Sequence, residues 1–122
     1  MAAATTPPWP SELRFQKDRA ELLIRFDDGL ETSIPYELLR VESPSAETKG
    51  HGADTPPPPA RKRKVSVTGA EQVGRYALRI RFDDGHNTGL YTWAYLRELG
   101  EHKSSRMAAY MGRLKEFGLS RD

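Results

Sequence analysis

The sequence predicts an α+β fold: a β-rich single domain of two repeated β-hairpin and short-helix units, followed by a C-terminal helix. Three observations carry this expectation. The chain has 122 residues, the size of one domain. Residues 22 to 34, LLIRFDDGLETSI, align with residues 78 to 90, LRIRFDDGHNTGL, with eight identities in thirteen positions. Near the end, Met107, Tyr110, Met111, Leu114 and Phe117 recur at spacings of three and four, the period of an amphipathic helix.

Taken in order, Leu13 and Phe15 alternate with Arg14 and Gln16 in a first strand. Leu22, Ile24 and Phe26 then share one face against Arg25 and Asp27, and Asp27-Asp28-Gly29 supplies a turn. The return strand is Glu31 to Ile34, and Pro35 suits the first turn of a short helix carrying Tyr36, Leu38 and Leu39. Residues 43 to 60 hold almost no large apolar side chain and read as a long mobile loop. Val65 and Val67 alternate with Ser66 and Thr68 in the next strand. The second hairpin places Leu78, Ile80 and Phe82 on one face, turns at Asp83-Asp84-Gly85 and returns along Asn87 to Tyr91. Thr92 caps a helix with Trp93, Leu96 and Leu99 on one side, ending at Gly100. Ser104 or Ser105 caps the last helix and Gly118 stops it. The organisation is a disordered N-terminus (1–10), a core domain (11–100) with a mobile loop at 43–64, and a C-terminal helix and tail (101–122).

Composition removes several chemistries. The chain has no cysteine, which excludes a disulfide framework, a thiolate zinc site and a cysteine nucleophile. No apolar run approaches the roughly 20 residues of a membrane span, and the opening lacks a secretory pattern, so a cytoplasmic protein with no membrane partner is expected. Residues 1–60 carry 6 Lys and Arg against 10 Asp and Glu, whereas residues 61–122 carry 13 against 7. Much of this asymmetry is Arg61, Lys62, Arg63 and Lys64, a run that either binds nucleic acid or an acidic partner, or is a solvated linker end entering a strand. The solvated reading is favoured, and nucleic acid is not the expected partner.

Candidate chemistry is sparse. Paired carboxylates at Asp27, Asp28, Asp83 and Asp84 resemble metal or acid/base groups, yet their recurrence in two hairpin turns is explained by turn geometry alone. The histidines, His51, His86 and His102, form no His-x-Asp, His-x-Glu or His-x-x-x-His pair. Neither a nucleophile elbow nor a phosphate-binding Gly-Lys-Ser or Gly-Lys-Thr motif is present. Residues 90 to 95 hold Tyr91, Trp93 and Tyr95, three of eleven aromatics. With the basic run, Tyr91 and Trp93 offer a stacking surface for single strands; the alternative, favoured here, is that they anchor the core.

The ordered segments Ile-Arg-Phe-Asp-Asp-Gly, Leu39 to Gly52, Val73 to Leu78, Phe82 to Trp93 and Leu96 to Gly100 resemble the stand-alone bacterial members of the gamma-butyrobetaine hydroxylase-like N-terminal domain family, over roughly residues 11–100. Relatives of this domain sit at the front of carnitine-pathway dioxygenases and at the tail of some iron–sulfur carrier ATPases. The resemblance therefore implies a non-catalytic accessory or interaction protein, with a protein partner such as an iron–sulfur carrier ATPase or an iron enzyme. Dioxygenase members look like zinc sites with three cysteines and a histidine. Carried onto this chain, those positions are Ser43, Ser45, Thr48 and His86, so only the histidine remains. No cofactor is expected; the alternative is a weakly bound iron or zinc on His86 and His51.

Overall fold

The computed structural model describes residues 9–44 and 57–122. They form β1 (Pro10–Gln16), β2 (Glu21–Phe26), β3 (Glu31–Pro35), α1 (Tyr36–Val41), β4 (Val67–Val73), β5 (Ala77–Phe82), β6 (Leu90–Thr92), α2 (Trp93–Glu101) and α3 (Lys103–Glu116). The strands make two three-stranded antiparallel sheets, β1-β2-β3 and β4-β5-β6. This is the expected α+β domain. Among the described residues no helix is long and apolar enough to cross a membrane.

The duplication reaches further than the hairpins. Each unit begins with an extra strand that pairs with the hairpin and shifts register near its start, between Pro10 and Glu12 in β1 and between Val67 and Gly69 in β4. A bulge bends its strand and increases local twist, so both sheets curl at matching places. The alternation of β2 and β5 is realised: Leu22, Ile24 and Phe26, like Leu78, Ile80 and Phe82, are buried. They join Ile34, Tyr36, Leu38, Leu39, Tyr91, Trp93, Leu96 and Leu99 in one apolar cluster. Each such side chain contributes about 1.5–3 kcal/mol on burial.

The two units are interlocked rather than merely adjacent. Helix α2 of the second unit lies on β3 of the first, where Gly100 sits so close that a β-carbon there would overlap the Thr32 side chain. Helix α3 packs on both α1 and α2.

Several boundaries differ from expectation. The return strand is Leu90–Thr92, not Asn87 to Tyr91. The first return strand pairs Leu22 with Ile34, and the second pairs Leu78 with Tyr91, so one extra residue lies between turn and strand in the second unit. That residue is accommodated by leaving 87–89 outside the strand. The strand expected from Val65 starts at Val67, because Val65 N–H donates to the Lys62 carbonyl in a turn (3.1 Å). Thr92 caps α2 as expected, accepting from Tyr95 N–H at 3.0 Å, and the helix runs one residue past Gly100. No serine caps α3; its start follows directly on α2 at His102, and Ser105 Oγ donates back to the His102 carbonyl. Tyr110 and Leu114 are buried, whereas Met111 and Phe117 are each 41% exposed. Gly118 ends the helix with φ 66°. Of the expected loop, residues 45–56 lie outside the described residues; Pro58 is buried, and the Pro59 carbonyl accepts from Tyr110 OH at 2.6 Å.

Candidate functional site

Both Asp-Asp-Gly turns are built alike. Gly29 and Gly85 take φ of 96° and 93°, the left-handed region that glycine enters without a Cβ penalty. Phe26 and Phe82 N–H donate across their turns to the carbonyls of Leu30 and His86, at 2.8 and 2.9 Å. The first Asp of each pair grips the strand that precedes its own hairpin. Asp27 accepts from Trp9 N–H and Asp83 from Ser66 N–H (3.3 and 3.0 Å), and their own N–H groups donate to the Trp9 and Ser66 carbonyls.

The second Asp of each pair closes its own turn and reaches the other unit. Asp28 accepts from Leu30 N–H at 3.2 Å and pairs with Arg97 of α2 at 2.8 Å. Asp84 accepts from His86 N–H at 3.0 Å and pairs with Arg40 of α1 at 2.7 Å. Each unit's helix thus clamps the other unit's turn. Lys62 adds a further ion pair to Asp84 at 2.6 Å. Burial opposes ionisation of Asp84, but the Lys62 ammonium, the His86 N–H and the Arg40 guanidinium outweigh it and hold the carboxyl well below the usual carboxylate range. The Arg97 guanidinium likewise lowers Asp28 against a smaller opposing effect of desolvation. Asp28 and Asp84 thus add a bracing contact between the units to their role in the turns.

His86 lies half-buried beside the turn, its Nε2 in hydrogen-bond contact with Ser43 Oγ at 2.8 Å. Gly89 is required here, since a β-carbon would overlap Ser43 Oγ and lie 3.2 Å from the Tyr91 ring. The resemblance places Ser43 on a cysteine position and His86 on the histidine position of one metal site, and the fold does bring those two together. The donor set does not fit zinc: a hydroxyl stands where a thiolate is needed. Among the described residues no group of three or more His, Cys, Asp or Glu is arranged to hold a metal. His51, Ser45 and Thr48 lie outside the described residues.

The aromatic segment belongs to the core, which corrects the placement of Tyr91 on an interaction surface. Tyr91 is fully buried, its OH donates to the Leu39 carbonyl at 2.5 Å, and burial pushes its phenol up. Trp93 is 4% exposed, and its Nε1 donates to the Arg75 carbonyl at 2.9 Å. Tyr95 is half-buried, with its phenol pushed up to about 12 by burial.

The basic run is laced to the C-terminal tail. Arg61 N–H donates to the Ser120 carbonyl at 2.9 Å and Arg63 N–H to the Arg121 carbonyl at 3.1 Å. Lys62 is committed to Asp84, and Arg63 pairs with Asp122 at 2.7 Å. Sequence reasoning missed the anchor of this arrangement: Arg121 donates through Nε and Nη2 to the buried Glu37 of α1 at 2.9 and 2.6 Å. An acid among the apolar residues Tyr36, Leu38 and Leu39 was the available signal that a cation had to come to it.

A family model described as gamma-butyrobetaine hydroxylase-like, N-terminal, matches residues 13–97. A protein solved by NMR in solution is similar at 40% identity and TM-score 0.81, covering 96% of this chain and 92% of that one. A second NMR structure is 36% identical with TM-score 0.78, covering 99% of this chain and 90% of that one. A crystal structure of a DUF971-family protein of unknown function from Acidithiobacillus ferrooxidans ATCC 23270 is 36% identical with TM-score 0.60, covering 75% and 91%. No curated protein matches the chain at a significant level. The duplicated turn-and-helix core lies largely within the matched span, and the chain belongs to the gamma-butyrobetaine hydroxylase-like N-terminal family.

Proposed function

We propose that this protein is a non-catalytic accessory module that acts by contact with another protein, an iron–sulfur carrier ATPase or an iron-dependent enzyme. One observation carries the non-catalytic part: the acids that look most like chemistry, Asp27, Asp28, Asp83 and Asp84, are each taken up in bracing strands and clamping helices. The kind of partner rests on the setting of related domains beside such enzymes. A metal-binding role for His86 with His51 has less support, because His86 Nε2 is engaged by Ser43.

Affinity purification of the tagged full chain at native expression tests the reading. An iron–sulfur carrier or iron enzyme is expected to co-purify reproducibly, in an amount unchanged by His86→Ala. Repeated purification without any such enzyme would remove the proposal's positive support.

A further inference from the structure

Beside the tail, Arg61, Arg63, Lys64, Arg121 and Asp122 line a surface pocket of about 220 Å³. Two backbone hydrogen bonds fix the basic run to the tail, and Glu37 holds the Arg121 guanidinium by two contacts from within the core. The pocket is therefore assembled by tertiary structure, unlike a solvated charge run.

Its charge is unbalanced. Of the four cations, Arg63 is matched by Asp122 and Arg121 by Glu37. Arg61 and Lys64 have no carboxylate partner among the described residues. The pocket thus carries an excess of positive charge. The backbone adds an independent sign: Arg61 has φ 61°, a left-handed conformation that costs a non-glycine residue of order 1–3 kcal/mol and concentrates at functional sites. A second depression, of about 260 Å³, shares Arg61 and Lys64 and is also lined by Lys62, Asp83 and Asp84, so its carboxylates partly offset its cations.

We infer that the pocket formed by Arg61, Arg63, Lys64 and Arg121 binds a phosphomonoester dianion. Guanidinium groups present paired donors that match phosphate oxygens, and three terminal oxygens suit several cations at once. A monoester, with up to two charges, is attracted more strongly by this excess than a diester, with one charge per phosphate. The site stands independently of the partner proposed above, since it needs no second protein.

The test is an NMR titration of the isotopically labelled full chain with glycerol phosphate, and separately with dimethyl phosphate and a short single-stranded oligonucleotide. Glycerol phosphate is expected to give saturable shifts at residues 61–64 and 119–122, with affinity about tenfold above that of dimethyl phosphate. Arg61→Gly removes the guanidinium yet suits the positive φ, so the spectrum elsewhere should be kept while affinity falls about tenfold. Lys64→Gln should act in the same direction. No saturable shift, shifts scattered over unrelated basic residues, or an Arg61→Gly variant that binds as the parent does would each overturn the inference. So would an oligonucleotide that binds more tightly than the monoester with steep salt dependence, because that marks a surface for nucleic-acid backbone.

Discussion

Trp93→Ala is expected to lower the unfolding free energy by about 4 kcal/mol in a urea or thermal melt. The side chain opens α2, is almost wholly buried among Leu78, Leu96 and the other core residues, and ties α2 to the β4–β5 turn through Nε1 and the Arg75 carbonyl. Its backbone N–H donates to Tyr76, just as Tyr36 N–H donates to Ala20 in the first unit. Truncation therefore opens a large cavity and orphans a carbonyl, against a total stability of roughly 5–15 kcal/mol for an ordinary domain. Trp93→Phe keeps most of the bulk and should cost about 1–2 kcal/mol, chiefly the lost hydrogen bond. A surface stacking residue would behave differently: Trp93→Ala would then change stability by less than about 0.5 kcal/mol, and that result would return the aromatic segment to the ligand-binding reading.

Arg121→Ala is expected to cost about 3 kcal/mol. Glu37 is 5% exposed and receives both of its charge-assisted hydrogen bonds from Arg121. Removing the guanidinium leaves a carboxylate buried beside Tyr36 and Leu38 with no counter-charge, and that desolvation sets the cost. Replacing both partners with methionine should be far milder, because the buried charge is gone as well. Urea unfolding of the two variants separates these outcomes. If Arg121→Ala is as stable as the parent, the tail does not dock on α1, and the cationic pocket beside it is not built.

What the sequence made legible follows from which forces are local. Alternation at Leu22, Ile24 and Phe26, repeated at Leu78, Ile80 and Phe82, marks strands because burial on one face has period two. Asp-Asp-Gly marks turns because glycine and aspartate meet the local backbone demand at Gly29 and Gly85 without help from the rest of the chain. The one-residue offset between Ile34 and Tyr91 was hidden by an ungapped alignment. With the gap placed before β6, Tyr91 falls on Ile34 and Trp93 on Tyr36, and both aromatics read as core. The exchange of clamps, Arg40 to Asp84 and Arg97 to Asp28, spans 44 and 69 residues, and no local pattern encodes such a distance. In α3 the apolar stripe is wider than the surface that receives it, since only Tyr110 and Leu114 meet the body fully.

The central claim is that the second acid of each Asp-Asp-Gly turn, Asp28 and Asp84, holds the two units together. Its most direct test is the unfolding free energy of the parent and of Asp84→Asn from pH 7 down to pH 2. A carboxyl depressed in the fold contributes stability that is fully present above its unfolded value, near about 4, and is lost as pH falls towards the folded value. Asparagine keeps the acceptor for His86 N–H but not the charge facing Lys62 and Arg40. The account predicts a deficit of about 2 kcal/mol for Asp84→Asn near neutral pH, constant above about pH 5 and shrinking steadily below about pH 4. Equal stabilities at neutral pH, or a deficit that stays the same down to pH 2, would contradict it.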